Sequence, residues 1–203
     1  MSNSVILASS SPRRLELLRS AGIDFKVIVP NIDETRLKDE HSKKMVSRLA
    51  HLKALTIAEG LKVTNSGSSI FVIAADTTVM NDQGQDLGKP ANLRAAKKML
   101  QSLQGRTHQV FTAYCILKLG QNKRIQTIRR TIKTRVTFRA LSNLDLDFYL
   151  SRYEVLDKAG AYGAQDGGMF LISELKGSFS NVMGLPLTHV LEDLKRLGIK
   201  SGR

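Results

Sequence analysis

The chain has 203 residues and a formal net charge of +13, from 31 Lys or Arg against 18 Asp or Glu. That length supports one domain with a substantial core and does not demand a second. A lone Cys115 excludes an internal disulfide and suits a reducing compartment, no apolar run approaches a membrane span, and Val5–Ala8 is too short for a signal-sequence core. A cytoplasmic protein without a membrane partner is therefore expected.

The positive charge is local. Between Leu87 and Leu144 there are thirteen Lys or Arg and no Asp or Glu, which leaves the rest of the chain balanced at 18 basic and 18 acidic residues. Such a block can contact a phosphate backbone or form the solvated face of a sheet, and its sparse aromatic content favours the solvated face over nucleic acid.

In chain order, Val5–Ala8 reads as a short buried strand, followed by Ser9, Ser10, Ser11, Pro12, Arg13 and Arg14. Ser11 before Pro12 predicts a helix start, with Leu15, Leu18 and Ala21 on the apolar face and Gly22 as the stop. A serine-rich loop, a helix N-terminus and two arginines at one spot suit a bound phosphate, although an ordinary cap with solvent-facing arginines reads equally well. Phe25–Val29 is a second short strand, and Asp33 and Glu34 after it are turn residues or metal ligands. Ser42–Glu59 is helical, with Met45, Val46, Leu49, Ala50, Leu52, Leu55, Ile57 and Ala58 apolar. Lys53 shares the row of Val46, Ala50 and Ile57, so its ammonium must snorkel from an apolar wall. The polar run 64–69 reads as a linker-like loop.

Ile70–Ala75 is uncharged and β-branched or aromatic, as in a strand buried on both faces, and it runs directly into Asp76. A carboxylate there needs a hydrogen bond, an ion partner or a metal. Thr77–Met80 continues the strand, a turn at 81–84 follows, and Gly88-Lys89-Pro90 sets a cation at the far end of a hairpin. Asn92 caps a helix carrying Leu93, Ala96, Leu100 and Leu103. A strand spans Val110–Leu119, with His108 at its entrance as a structural hydrogen-bonding residue more readily than a catalytic one. Alternation over 126–139 predicts a half-exposed antiparallel strand, and 143–151 a short helix packing through Leu144, Phe148 and Tyr149. The glycine-rich stretch 157–168 reads as an unpacked loop folded around a ligand. A strand resumes at Met169–Ile172, and the last helix uses Leu187, Val190, Leu191, Leu194 and Leu197.

The blocks ILASSSPRR, IDE, the helical Lys53, AADTTV followed by GKP, GRTHQVFTA, DKAGAYGAQ and SNVMGLPL occur in one order across nearly the whole chain. Together they resemble the Maf family of nucleoside triphosphate pyrophosphatases. The resemblance implies a single Maf-type domain over 1–203 with an α/β, Maf / ITPase-like fold: a mixed sheet with flanking helices and two lobes around a nucleotide-binding cleft. It implies hydrolysis of a nucleoside triphosphate to the monophosphate and pyrophosphate with a divalent metal cation, Mg²⁺ or Mn²⁺. By the same resemblance Ser9, Arg13 and Arg14 hold the triphosphate, Lys53 and Lys89 neutralise phosphate charge, Glu34 and Asp76 hold the metal, and Asp76 is the proton acceptor. Arg13, Thr77 and Gln165 match the arm of the family acting on dTTP and UTP, and a homodimer is a family expectation. A link of the family to septum formation supplies the competing expectation: a nucleic-acid-binding or cell-division regulatory protein working through the basic 87–144 segment.

Overall fold

A computed structural model describes residues 3–61, 68–120, 125–165 and 167–199. The linker-like run at 64–69 therefore lies largely outside the described residues. The chain divides into two compact units: Met1–Asp76, Ala113–Thr131 and Gly184–Arg203 form the first, and Thr77–Thr112 and Ile132–Met183 the second. Three long strands, β3 (Ile70–Met80), β5 (Thr107–Leu119) and β6 (Ile125–Phe138), contribute one end to each unit.

In the first unit β1 (Ser4–Leu7) pairs in parallel with β2 (Lys26–Val27) and with β3, at Leu7↔Ile73. Helices α1 (Pro12–Ser20), α2 (Ser42–Glu59) and α6 (Leu187–Arg196) belong to this unit. Phe71, Val72, Ile73, Ala74 and Ala75 are all fully buried, as an uncharged run covered on both faces requires. Alpha-helix α2 keeps the predicted bounds and buries Val46, Leu49, Ala50, Ile57 and Ala58, whereas Leu52 is exposed. On α1 the buried residues are Leu17 and Leu18, and Ser11 stands at the cap without a side-chain cap bond; Ser9 Oγ instead accepts from the Ser11 N–H at 3.1 Å.

The second unit carries β4 (Asp86–Leu87), antiparallel to β3, and β7 (Ile172–Lys176), antiparallel to β6, so the sheet is mixed. Its helices are α3 (Leu93–Leu103), α4 (Asn143–Arg152) and the short α5 (Phe179–Val182). Asn92 caps α3 as expected, its Oδ1 accepting from Ala95 N–H at 2.9 Å. Helix α4 starts at a capping box, Ser142 with Asp145, and buries Leu146 and Tyr149; Leu144 and Phe148 lie outside the core, Leu144 at 82% exposure. The predicted strand at Met169–Ile172 begins only at Ile172, because Gly168–Phe170 winds into a 3-10 turn.

The glycine-rich stretch 157–168 is packed, contrary to expectation. Ala161, Tyr162 and Ala164 are buried, and two 3-10 turns, Ala159–Ala161 and Gly168–Phe170, replace an open loop. Within this stretch, steric contact requires glycine at Gly167 and Gly168. A Cβ on Gly167, at φ +67°, would stand 2.2 Å from Tyr153 Cζ, and one on Gly168 would stand 1.9 Å from the Gly163 carbonyl oxygen.

Candidate active site

Parallel pairing of β1 with β2 and β3 brings three chain segments to one end of the sheet of the first unit: the loop after β1, the loop after β2, and Asp76, three residues past Ile73. Ligands in open α/β sheets bind outside these carboxyl ends. Ser9 and Asp76 are both buried there, and α2 supplies the buried Lys53.

The acid predicted to need a partner has one. Lys53 Nζ donates to Asp76 Oδ1 at 2.6 Å and lies 2.8 Å from Glu34 Oε1, so a single ammonium draws together carboxylates 42 positions apart in sequence. The side chains of Lys53 and Asp76 are about one-tenth exposed and that of Glu34 half exposed, at 9%, 12% and 54%. Lys53 thus reaches from the apolar wall of α2 to an acidic pair rather than to bulk water. Arg14 joins them: its Nε donates to the Gly184 carbonyl at 2.8 Å and its Nη1 to Ser9 Oγ at 3.3 Å. Burial pulls the Arg14 guanidinium below its ordinary value, Asp76 and Glu34 oppose that, and Arg13 adds to it, so Arg14 feels the charge of all three.

Of the predicted site residues, the first unit therefore gathers Ser9, Arg13, Arg14, Glu34, Lys53 and Asp76. Thr77, Lys89 and Gln165 belong to the second unit. There Thr77 Oγ1 pairs with Thr112 Oγ1 at 3.0 Å, Lys89 is exposed beside Gly88, whose carbonyl accepts from Gly160 N–H at 3.1 Å, and Gln165 is half-buried. The segment carrying Gln165 is framed by aromatics: Tyr162 OH pairs with His108 Nε2 at 2.8 Å, and the Gly163 N–H donates to Tyr149 OH at 3.3 Å. His108 is fully enclosed, edge-on to Phe138 and Tyr162, and its burial lowers its pKa to about 4, so it stands as a neutral structural residue.

Several arrangements carry no local sequence signal. Arg48 forks onto Glu40, with Nε to Oε1 and Nη2 to Oε2 both at 2.7 Å. In α6, Asp193 is fully buried and takes Tyr114 OH at 2.7 Å and Arg130 at 2.7 Å. An acid on the core row with Val190 and Leu197 does signal that Asp193 must be paired, but not with which residues. Among the described residues, four cations of the basic segment pair with acids outside it: Lys97 with Asp147, Arg106 with Asp82, Arg130 with Asp193 and Arg139 with Asp145.

No cluster of three His, Cys, Asp or Glu able to hold a metal occurs among the described residues. The acid pair on Lys53 offers two carboxylates instead, a hard-oxygen set of the kind Mg²⁺ takes when phosphate oxygens and water complete its shell. No helix among the described residues is long and apolar enough to cross a membrane.

The chain is 40% identical over 198 residues to the dTTP/UTP pyrophosphatase of Syntrophus aciditrophicus (strain SB), covering 98% of this chain and 92% of the relative. It is 39% identical to the dTTP/UTP pyrophosphatase of Geotalea uraniireducens (strain Rf4), covering 97% and 96%. Among solved structures it is similar to a HAM1 protein from Coxiella burnetii at 16% identity and a TM-score of 0.47, over 96% of this chain and 100% of that one. The model of the family described as Maf-like protein matches residues 4–197. With nearly its whole length so matched, the chain belongs to the Maf-like protein family.

Proposed function

We propose that this chain is a nucleoside triphosphate pyrophosphatase that hydrolyses dTTP and UTP to the monophosphate and pyrophosphate, its two units being lobes of one Maf-type domain. The observation that carries the reading is the convergence of Asp76 and Glu34 on one cationic centre, with Ser9 and Arg14 beside them, in a chain 35–40% identical to relatives named for that activity.

The chemistry asks for three things, and each has a residue. Water attacking the α-phosphorus must lose a proton, and the buried Asp76 carboxylate is the acceptor. As the α–β bridging bond breaks, negative charge accumulates on the departing pyrophosphate; Arg13 and Arg14 bind it, with Lys89 as a further cation. Lys53, seated between two carboxylates, is a further cation for phosphate charge. A bound Mg²⁺ or Mn²⁺, held by Glu34 and Asp76, would supply Lewis-acid charge neutralisation at the phosphoryl oxygens. Thr77 and Gln165 are assigned to the nucleoside end, where a pyrimidine is selected by hydrogen bonding.

The test is a panel of dTTP, UTP, CTP, dATP and GTP with Mg²⁺ or Mn²⁺, scored for pyrophosphate release. Turnover of dTTP and UTP well above the purine nucleotides is expected. Equal turnover across the panel overturns the pyrimidine assignment, and release of orthophosphate alone overturns the reaction.

A further inference from the structure

Glu34 sits on an irregular, exposed segment tied to α2 by side chains, among them Arg36, whose Nη2 donates to Ser42 Oγ at 3.2 Å. Residues 28–41, between β2 and α2, form no regular element, and every residue from Asp33 to Asp39 is exposed. An exposed, irregular segment is a poor platform for a carboxylate that must meet a second acid at a fixed place, because each residue held in one conformation loses conformational entropy.

The attachment comes from α2. Besides its two 2.7 Å bonds to Glu40, Arg48 Nη2 donates to the carbonyl oxygen of Thr35, the residue next to Glu34, at 3.1 Å. Glu40 in turn accepts from Leu37 N–H at 3.2 Å, and Asp33 Oδ1 accepts from Thr35 N–H at 2.8 Å. Between them Asp39 takes φ +57°, a left-handed turn that aspartate tolerates and that folds the chain back so Glu40 can reach the helix. The Glu40 side chain is 8% exposed and that of Arg48 27%, so this is a sheltered two-pronged pair rather than a loose surface contact.

We propose that Arg48 is a positioning residue that presents Glu34 to the metal site. This inference rests on the reading of Glu34 as a metal-holding carboxylate. Arg48 and Lys53 lie on one helix, five residues apart, and grip the segment at adjacent points: Lys53 takes the Glu34 carboxylate at 2.8 Å and Arg48 the main chain of Thr35. One helix thereby holds both the Glu34 carboxylate and the main chain next to it.

The experiment compares wild type with Arg48→Met, Arg48→Lys, Glu40→Gln, Glu34→Gln and the Glu34→Gln/Arg48→Met double variant. Two readouts are taken: the Mn²⁺ concentration giving half-maximal pyrophosphate release from dTTP, and hydrogen exchange of peptides covering 33–40 without nucleotide. Supporting shells of metal ligands are worth about 10–100-fold in metal affinity. Arg48→Met is expected to raise the half-activating Mn²⁺ concentration about tenfold, with turnover at saturating Mn²⁺ within about twofold. Exchange over 33–40 should quicken. Arg48→Lys, which keeps the charge without the fork, should shift the curve in the same way, and the double variant should shift no further than Glu34→Gln alone. If Arg48→Met does not fold, Glu40→Gln reads the same curve. Unshifted curves and unchanged exchange in Arg48→Met and Glu40→Gln, with Glu34→Gln still shifted, overturn the inference and leave the role of Glu34 standing. Restoration of the wild-type curve by Arg48→Lys also overturns it. An unshifted curve in Glu34→Gln removes the metal role of Glu34, and the inference falls with it.

Discussion

Replacing Asp76 by Asn removes one charge while keeping the shape and one acceptor oxygen, so it separates the chemical role of the carboxylate from its structural one. In the folded protein the carboxylate lies 2.6 Å from Lys53 Nζ, and Glu34 lies 2.8 Å from the same nitrogen. Deleting one partner of a buried ion pair costs about 3–5 kcal/mol. Here the amide oxygen can still accept from Nζ and Glu34 still supplies a compensating charge, so a loss of about 2 kcal/mol is expected. For a chain of this size that corresponds to a fall in melting temperature of about 4–8 °C. Catalysis should suffer far more, since a positioned general base contributes about 10²–10⁴-fold. Pyrophosphate release from dTTP at saturating Mg²⁺, with a melt on the same preparation, measures both. Turnover within threefold of wild type and an unchanged melt would refute both the proton-acceptor role and the picture of a cationic centre balanced by two acids.

Three further outcomes are expected. Gly167→Ala should destabilise the protein by about 2–4 kcal/mol and raise KM for dTTP, because the new methyl meets Tyr153 at 2.2 Å in a left-handed backbone and displaces the segment carrying Gln165; urea unfolding and dTTP kinetics check it. Stability should fall as pH drops from 6.5 to about 4, since the unfolded chain binds a proton at His108 that the buried neutral ring refuses. The contribution of this group is roughly 3 kcal/mol, lost fully below pH 4, and His108→Phe should flatten that part of the pH profile of urea midpoints. Asp193→Ala should cost about 1–3 kcal/mol by leaving the buried Tyr114 hydroxyl without its acceptor, since Arg130 can turn to solvent, and Tyr114→Phe about 1 kcal/mol, with KM for dTTP unchanged in both; chemical denaturation and kinetics read the two effects.

What the sequence revealed depended on whether the determining interactions were local. Helix α2 and strand β3 could be bounded to the residue, because an apolar stripe of helical period and an uncharged run ending in a carboxylate are one-dimensional patterns. The need of Asp76 for a partner followed from the cost of leaving a buried carboxylate alone, but neither the residues nor the family resemblance paired it with Lys53, which the resemblance assigned to phosphate charge. The bounds of helix α4 and the burial of Tyr149 are legible, but Leu144, Leu146, Phe148, Tyr149 and Leu150 crowd ten residues and leave the rest of its core face ambiguous; packing chooses Leu146 over Leu144 and Phe148. The glycine-rich stretch looked open because glycines signal freedom, yet at Gly167 and Gly168 they mark close approach of Tyr153 and the Gly163 carbonyl, partners visible only once the chain is folded. The Arg48 fork and the Asp193 network join residues eight, 63 and 79 positions apart, and charge patterning does not encode such pairings.

The most direct test of the central claim is where the attacking oxygen goes. With dTTP turned over in ¹⁸O-labelled water, attack at the α-phosphorus beside Asp76 predicts label in dTMP and none in pyrophosphate. Label in pyrophosphate, or in orthophosphate formed with dTDP, would contradict the account.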